Sequence, residues 1–326
     1  MRKTVQGNTT ASITGFLLLG FEELHDIQIV LFLVFLVVYI FTIMANFLTI
    51  FLILTDLHLH TPMYFFLGNL SCLEIIYSTT ILPNTLISLL TGDKFISLKG
   101  CMTQLYFFGF LASTECCLLS VMSYDRFLAI CRPLHYATSM KSTVCIQLAA
   151  GSWISSMALT SIYSVVMSTL WFCGPNEIDH FFCESLPLIG LSCSDTTLVK
   201  YVSVFITFIL TFLPFILTVV SYASIINTIF RIPSSTGRQK AFSTCSSHLI
   251  VVSLFYGTLF ITYLMPQRKG MKNLSKIFSV FYTVFPPFFN PLIYSLRNRD
   301  VKEALNKLLQ QLSFVAGISR RTEVDP

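Results

Sequence analysis

Two acids, Glu74 and Glu115, lie inside long apolar runs of a 326-residue chain. A third, Asp125, stands beside Arg126 at the end of such a run. Charge inside an apolar run is costly, so it is kept where it pairs, binds or switches. Two bare carboxylates that meet in a helix bundle repel, so they share a proton, a water network or a cation. Asn46, Asn69 and Asn290 are the other strong polar groups in the runs. The plainer alternative is two protonated glutamates that hydrogen-bond between helices. Asp125-Arg126 offers different chemistry. The guanidinium pairs with its neighbour in one state and turns toward hydroxyls such as Tyr222 or Tyr294 in another. Its plainer alternative is an arginine reaching for headgroups. At about 1.5 Å per residue, Arg126 falls roughly three helical turns beyond Glu115, at a membrane edge.

The elements that must position these groups are membrane helices. The chain is 54% hydrophobic and only 11% charged. A water-soluble domain carries about 25% charged residues, which excludes an ordinary globule. A membrane helix needs about 20 mostly apolar residues. Seven runs qualify, at roughly 27–54, 60–90, 102–124, 142–169, 201–230, 241–265 and 277–296. The last is rich in proline (Pro286, Pro287, Pro291), which a membrane bundle tolerates. The residues before the first run lack a cleavable signal pattern, so that run is expected to act as a signal anchor. The predicted fold class is an all-α seven-transmembrane helix bundle. Residues 1–26 form an outer segment, 27–296 the bundle, and 297–326 an inner surface helix and tail. From Asp300 to Leu312, Val301, Ala304, Leu305, Leu308, Leu309 and Leu312 share one face, as in a helix lying on a membrane.

With the N-terminus outside, twelve of the 21 Lys and Arg residues fall inside. That agrees with the positive-inside rule, although Arg268, Lys269, Lys272 and Lys276 form an outer basic cluster. Asn8-Thr9-Thr10 is a glycosylation acceptor that has meaning only outside. Of ten cysteines, Cys101, Cys173, Cys183 and Cys193 fall outside. Four cysteines in an oxidising compartment allow three connectivities, and spacing does not choose among them. The others read as small buried hydrophobes.

An intramembrane enzyme would need a zinc-type histidine pair or a serine nucleophile with a base, and neither pattern occurs in the spans. A transporter would favour paired broken helices or an inverted repeat. No nucleic-acid partner is implied.

Five stretches carry a family resemblance. They are Leu59-His60-Thr61-Pro62-Met63-Tyr64, Met122-Ser123-Tyr124-Asp125-Arg126, Ser221-Tyr222, Lys240-Ala241-Phe242-Ser243-Thr244-Cys245-Ser246-Ser247-His248, and Pro286-Pro287-Phe288-Phe289-Asn290-Pro291-Leu292-Ile293-Tyr294. In this order they resemble the odorant receptors, a branch of the rhodopsin-like G-protein-coupled receptors, over nearly the whole chain. The chain departs from the family pattern at Ala45, Ser123 and Phe127.

The resemblance implies an odorant receptor, with disulfides Cys101–Cys183 and Cys173–Cys193. It implies a switch and coupling surface of Asp125, Arg126, Tyr222, Lys240, His248, Asn290, Pro291 and Tyr294. It also implies an interior polar site of Asn46, Glu74, Glu115 and Asn290. No cofactor is expected other than a sodium ion near Glu74 and Glu115. By the same analogy the ligand site lies in the outer part of the bundle. The third helix offers Phe107, Phe108, Ala112 and Ser113; the fifth Ile206, Thr207 and Leu210. The sixth offers Tyr256, Leu259, Phe260 and Tyr263, and the seventh Thr283. This lining is aromatic with scattered hydroxyls and no charge, which suits a small, uncharged, mostly apolar volatile. The implied partners are that ligand, a heterotrimeric stimulatory, olfactory-type G protein that raises cyclic AMP, and a trafficking chaperone. The implied location is the plasma membrane of olfactory neuron cilia.

Overall fold

The computed structural model describes residues 13–21, 26–264 and 272–322. Asn8 lies outside them. The long helices are α1 (Gln28–Thr55), α2 (Pro62–Thr91), α3 (Leu98–Cys131), α5 (Ser142–Met167), α9 (Ser235–Leu264) and α10 (Lys272–Arg297). The fifth span joins α7 (Thr197–Thr207), a π turn (Phe208–Phe212) and α8 (Leu213–Phe230). Six spans are long and apolar enough to cross a membrane; the seventh, α9, has a shorter apolar stretch at Cys245–Ile261. This is a seven-span bundle. Ile29, Val37, Met44 and Leu54 are each well over half exposed. Such a girdle is a liability in water and a fitting surface for lipid.

Proline explains two local features. Pro214 has no N–H to give the Leu210 carbonyl, and the turn before it opens into π geometry. Pro291 in α10 likewise leaves the Pro287 carbonyl without its helical donor. Asn46 fills that gap: its Nδ2 donates to Pro287 O at 3.2 Å and to Thr42 O at 3.0 Å.

The third span runs from 98 to 131, past the predicted end at 124, because Asp125 and Arg126 are buried within it. Their charges mark the edge of the apolar run and leave the helix intact. Short helices α4 (Pro133–Ser139) and α6 (Ser185–Gly190) lie in connections, and α11 (Arg299–Thr322) follows the seventh span. α11 extends beyond the expected 300–312. Val301 and Ala304 are buried against the bundle and Leu309 is half exposed.

The residues before the first span form an element that periodicity did not predict. Strand β1 (Gly15–Leu18) pairs antiparallel with β2 (Phe95–Ser97) and parallel with β3 (Glu177–Ile178). Gly15 is required there, since a Cβ would collide with the Ile96 carbonyl oxygen. Gly92, at φ +72°, caps α2 and turns the chain into this sheet. Disulfides Cys101–Cys183 and Cys173–Cys193 stand at the same end of the bundle.

Candidate functional site

A cavity of about 400 Å³ lies beneath the disulfide-bonded loop, among α3, α5, α7, α9 and α10. Cys101–Cys183 holds that loop to α3, and Gln104 reinforces the tie. Its Oε1 accepts from the Cys183 N–H at 3.0 Å, and its Nε2 donates to Thr80 O at 3.1 Å. Phe182, fully buried, therefore sits on Phe108 with ring centroids 4.9 Å apart. Phe108 in turn meets Tyr77 and Tyr282 at 5.8 and 6.0 Å. Tyr282 is anchored by donating to Glu184 at 3.2 Å.

Of the residues expected to line a ligand site, Phe108, Ala112, Ser113, Ile206, Thr207, Leu259 and Phe260 face this cavity. Four do not. Phe107 is 40% exposed and turned away from it. Leu210 is buried outside the wall. Tyr256 is not in the wall, and its hydroxyl donates to the Cys116 carbonyl at 3.4 Å. Thr283 bonds back to Ser279 O in its own helix. The Tyr263 side chain lies outside the described ones. The wall also includes Thr160, Tyr163, Ser185, Ser203 and Thr211, which the sequence reading passed over. A signal for the fourth span existed: Ser152, Ser156, Thr160 and Tyr163 recur at helical spacing. The fifth-span residues are turned inward beside the π turn, which periodicity alone does not reveal.

His180 lies over the cavity's roof. It stacks on Phe181 at 4.8 Å and meets Phe182 edge-on at 4.6 Å. Burial holds its pKa down to about 3, with neighbouring Lys276 adding to the effect and Asp179 opposing it. The ring is therefore neutral at pH 7, and its 3.4 Å approach to Glu184 is not an ion pair. Lys276 pairs with Asp179.

Midway through the bundle, Asn290 donates to Glu74 and stands beside Glu115. Asn46 lies within reach of Glu74. Glu115 Oε1 and Asn46 Oδ1 are buried acceptors with no hydrogen-bond donor among the described residues.

At the opposite end Arg126 is clamped. It pairs with Asp125, its Nε donating to Oδ2 at 3.0 Å. The Tyr136 hydroxyl, from α4, donates to the other carboxylate oxygen at 2.8 Å. Tyr136 is a member that the sequence reading did not assign. Tyr222 and His248 Nδ1 share a hydrogen bond of 2.6 Å that ties the fifth span to the sixth. The Tyr294 hydroxyl is buried without a hydrogen-bond partner among the described residues. Pro291 frees the carbonyl that Asn46 takes, and the Lys240 side chain lies outside the described ones.

A seven-span bundle with an apolar cavity at one end and a clamped arginine at the other is the architecture of a G-protein-coupled receptor. The family model described as olfactory receptor matches residues 35–312. Olfactory receptor 10A7 of Homo sapiens is 48% identical over 299 residues, covering 92% of this chain and 95% of that protein. Olfactory receptor 5B21 of Homo sapiens is 48% identical over 303 residues, 93% of this chain and 98% of that one. Olfactory receptor 6Z7 of Mus musculus is 45% identical over 297 residues, 91% and 95% respectively. The chain belongs to the olfactory receptor family. Members of this family are receptors that signal through G proteins, and not enzymes.

Proposed function

We propose that this receptor binds a small, uncharged, mostly apolar volatile in the 400 Å³ cavity and activates a stimulatory, olfactory-type G protein, raising cyclic AMP. The observation that carries the ligand class is the wall itself. Among its described residues there is no Asp, Glu, Lys or Arg. A charged ligand buried there would have no counter-charge, and its desolvation would go uncompensated. A neutral ligand instead replaces cavity with contact.

The end bearing the disulfides faces outward, and the Arg126 end with α11 faces the cytoplasm. This orientation suits the acceptor at Asn8 and the inner excess of Lys and Arg. The site of action is the plasma membrane, in olfactory cilia. Asp125 held between Arg126 and the Tyr136 hydroxyl is the resting arrangement. Ligand binding biases the bundle toward a state in which Arg126 leaves that clamp. The Glu74, Glu115, Asn46 and Asn290 group fits a sodium ion, whose charge would satisfy the two undonated oxygens.

The test is cyclic AMP accumulation in cells expressing the chain with that G protein, across a broad volatile panel. Arg126→Ala serves as the control, and surface display is checked in parallel. A dose-dependent signal lost in the variant supports the reading. A wild-type response that Arg126→Ala leaves intact would refute the switch.

A further inference from the structure

Resting on the proposed ligand cavity, we infer that the Tyr163 hydroxyl, flanked by Ser185 and Ser203, is the hydrogen-bonding pole that selects carbonyl-bearing ligands. Tyr163 comes from α5, Ser185 from the start of α6, and Ser203 from α7, and all three line the cavity. The Tyr163 hydroxyl is buried and has no hydrogen-bond partner among the described residues. Ser185 and Ser203 stand nearest, short of hydrogen-bond geometry.

A tyrosine differs here from the serines and threonines of the same helices. Short hydroxyls satisfy themselves on a carbonyl one turn back, as Ser155 does on Gly151 O and Ser161 on Met157 O. A phenol on a rigid ring cannot reach its own backbone. Of the other wall tyrosines, Tyr282 already donates to Glu184. Burying a hydroxyl without a partner is costly, and buried polar groups are otherwise almost always bonded. Tyr163 thus holds an unused donor at the wall of an apolar chamber.

Three hydroxyls from three elements can aim more than one O–H at a single oxygen. A carbonyl oxygen has two lone pairs and no hydrogen, so it accepts from Tyr163 and from a serine at once. The opposite wall, Phe255, Leu259 and Phe260, offers only carbon. A carbonyl held at Tyr163 therefore directs its apolar tail toward the sixth span. An oxygen-free ligand of the same shape leaves the phenol unpaired and gains nothing at that pole.

The test uses matched probes: 2-octanone, octanal and acetophenone against octane, octene and ethylbenzene. Each is measured twice, by cyclic AMP in cells and by thermal stabilisation of the purified full-length receptor. The wild type should prefer the carbonyl member of a pair. Tyr163→Phe should cut carbonyl potency by about 5–20-fold, as loss of one or two neutral hydrogen bonds implies. It should leave any response to the oxygen-free partner unchanged, so that the preference collapses. Ser203→Ala should cut carbonyl potency in the same sense but less. A merely structural role would lower both members of a pair together, which would overturn the proposal. Ala112→Trp, which fills the cavity, separates the two readings. If it abolishes responses while Tyr163→Phe and Ser203→Ala keep the carbonyl preference intact, the cavity stands and the pole falls. If Ala112→Trp changes nothing, or the wild type is blind to every probe in both assays, the cavity reading falls and the pole with it.

Discussion

Asn46 replaces a donor that proline removed, and that replacement can be measured. In α10, Pro291 has no N–H for the Pro287 carbonyl, and Asn46 Nδ2 reaches it at 3.2 Å from α1. Asn46 is fully buried, so water cannot take over. Asn46→Leu keeps the heavy-atom count and branching and removes the donor. Stranding a buried carbonyl costs about 1–3 kcal/mol. Hydrogen bonds between membrane helices average about 0.6 and reach about 1.7 kcal/mol. The two ranges overlap at about 1–2 kcal/mol. At roughly 2–4 °C per kcal/mol, the midpoint of thermal unfolding should fall by about 2–8 °C. The assay is thermal unfolding of detergent-purified receptor at one fixed scan rate, because such unfolding is often irreversible. The decisive variant is Asn46→Leu with Pro291→Ala. The alanine restores a backbone N–H at that position, so Asn46→Leu should cost at least about 1 kcal/mol less in that background. An Asn46→Leu receptor that melts with the wild type would refute the reasoning. So would an equal loss with and without Pro291.

Three further outcomes follow from the same geometry. Tyr136→Phe removes the 2.8 Å hydrogen bond to Asp125 and should loosen the Arg126 clamp; basal cyclic AMP should rise several-fold, as a bias of about 1 kcal/mol implies, and unchanged basal signal at equal surface display would count against it. Phe182→Ala empties the roof over Phe108, a fully buried aromatic contact worth about 3–5 kcal/mol; the apparent melting temperature and ligand potency should both drop. His180 is held neutral by burial, so its folded pKa of about 3 lies below the ordinary value of 6.5. Between those values the unfolded chain binds more protons, so stability present at pH 7 is lost as pH falls through that window. Lys276 disfavours the proton further, while Asp179 and Glu184 face the ring and oppose that trend. His180→Phe should flatten the melting-temperature profile between about pH 6.5 and about pH 4, and an unchanged slope would show another group to be responsible.

The order of residues alone sets the class of architecture and the family. Charge-free runs such as Ile27–Ile53 admit no other environment than lipid, and the Asp125-Arg126 and Asn290-Pro291 stretches mark a receptor. It also isolates the interior acids, because Glu74 and Glu115 stand out against an apolar background whatever the packing. Half-turn details are not legible in it. Phe107 and Phe108 are neighbours of one type, yet a rotation of about 100° per residue turns one to lipid and the other to the cavity. Tyr256 and Thr283 also have suitable chemistry, yet their chain neighbours Phe255 and Tyr282 line the cavity and they do not, which is again set by helix rotation. The wall at Ser203 and Thr211 lies beside a π turn ahead of Pro214, a local break in the 3.6-residue period on which such readings rest. The sheet that joins Gly15–Leu18 to Phe95–Ser97 and Glu177–Ile178 pairs short segments far apart in sequence, and two to four residues carry no usable periodicity. The Arg126 clamp is half visible: Asp125 is its neighbour in the chain, but the Tyr136 hydroxyl reaches Asp125 only because α4 folds back beneath α3. Sequence names groups that are costly to bury; only the tertiary arrangement decides which partner makes each burial tolerable.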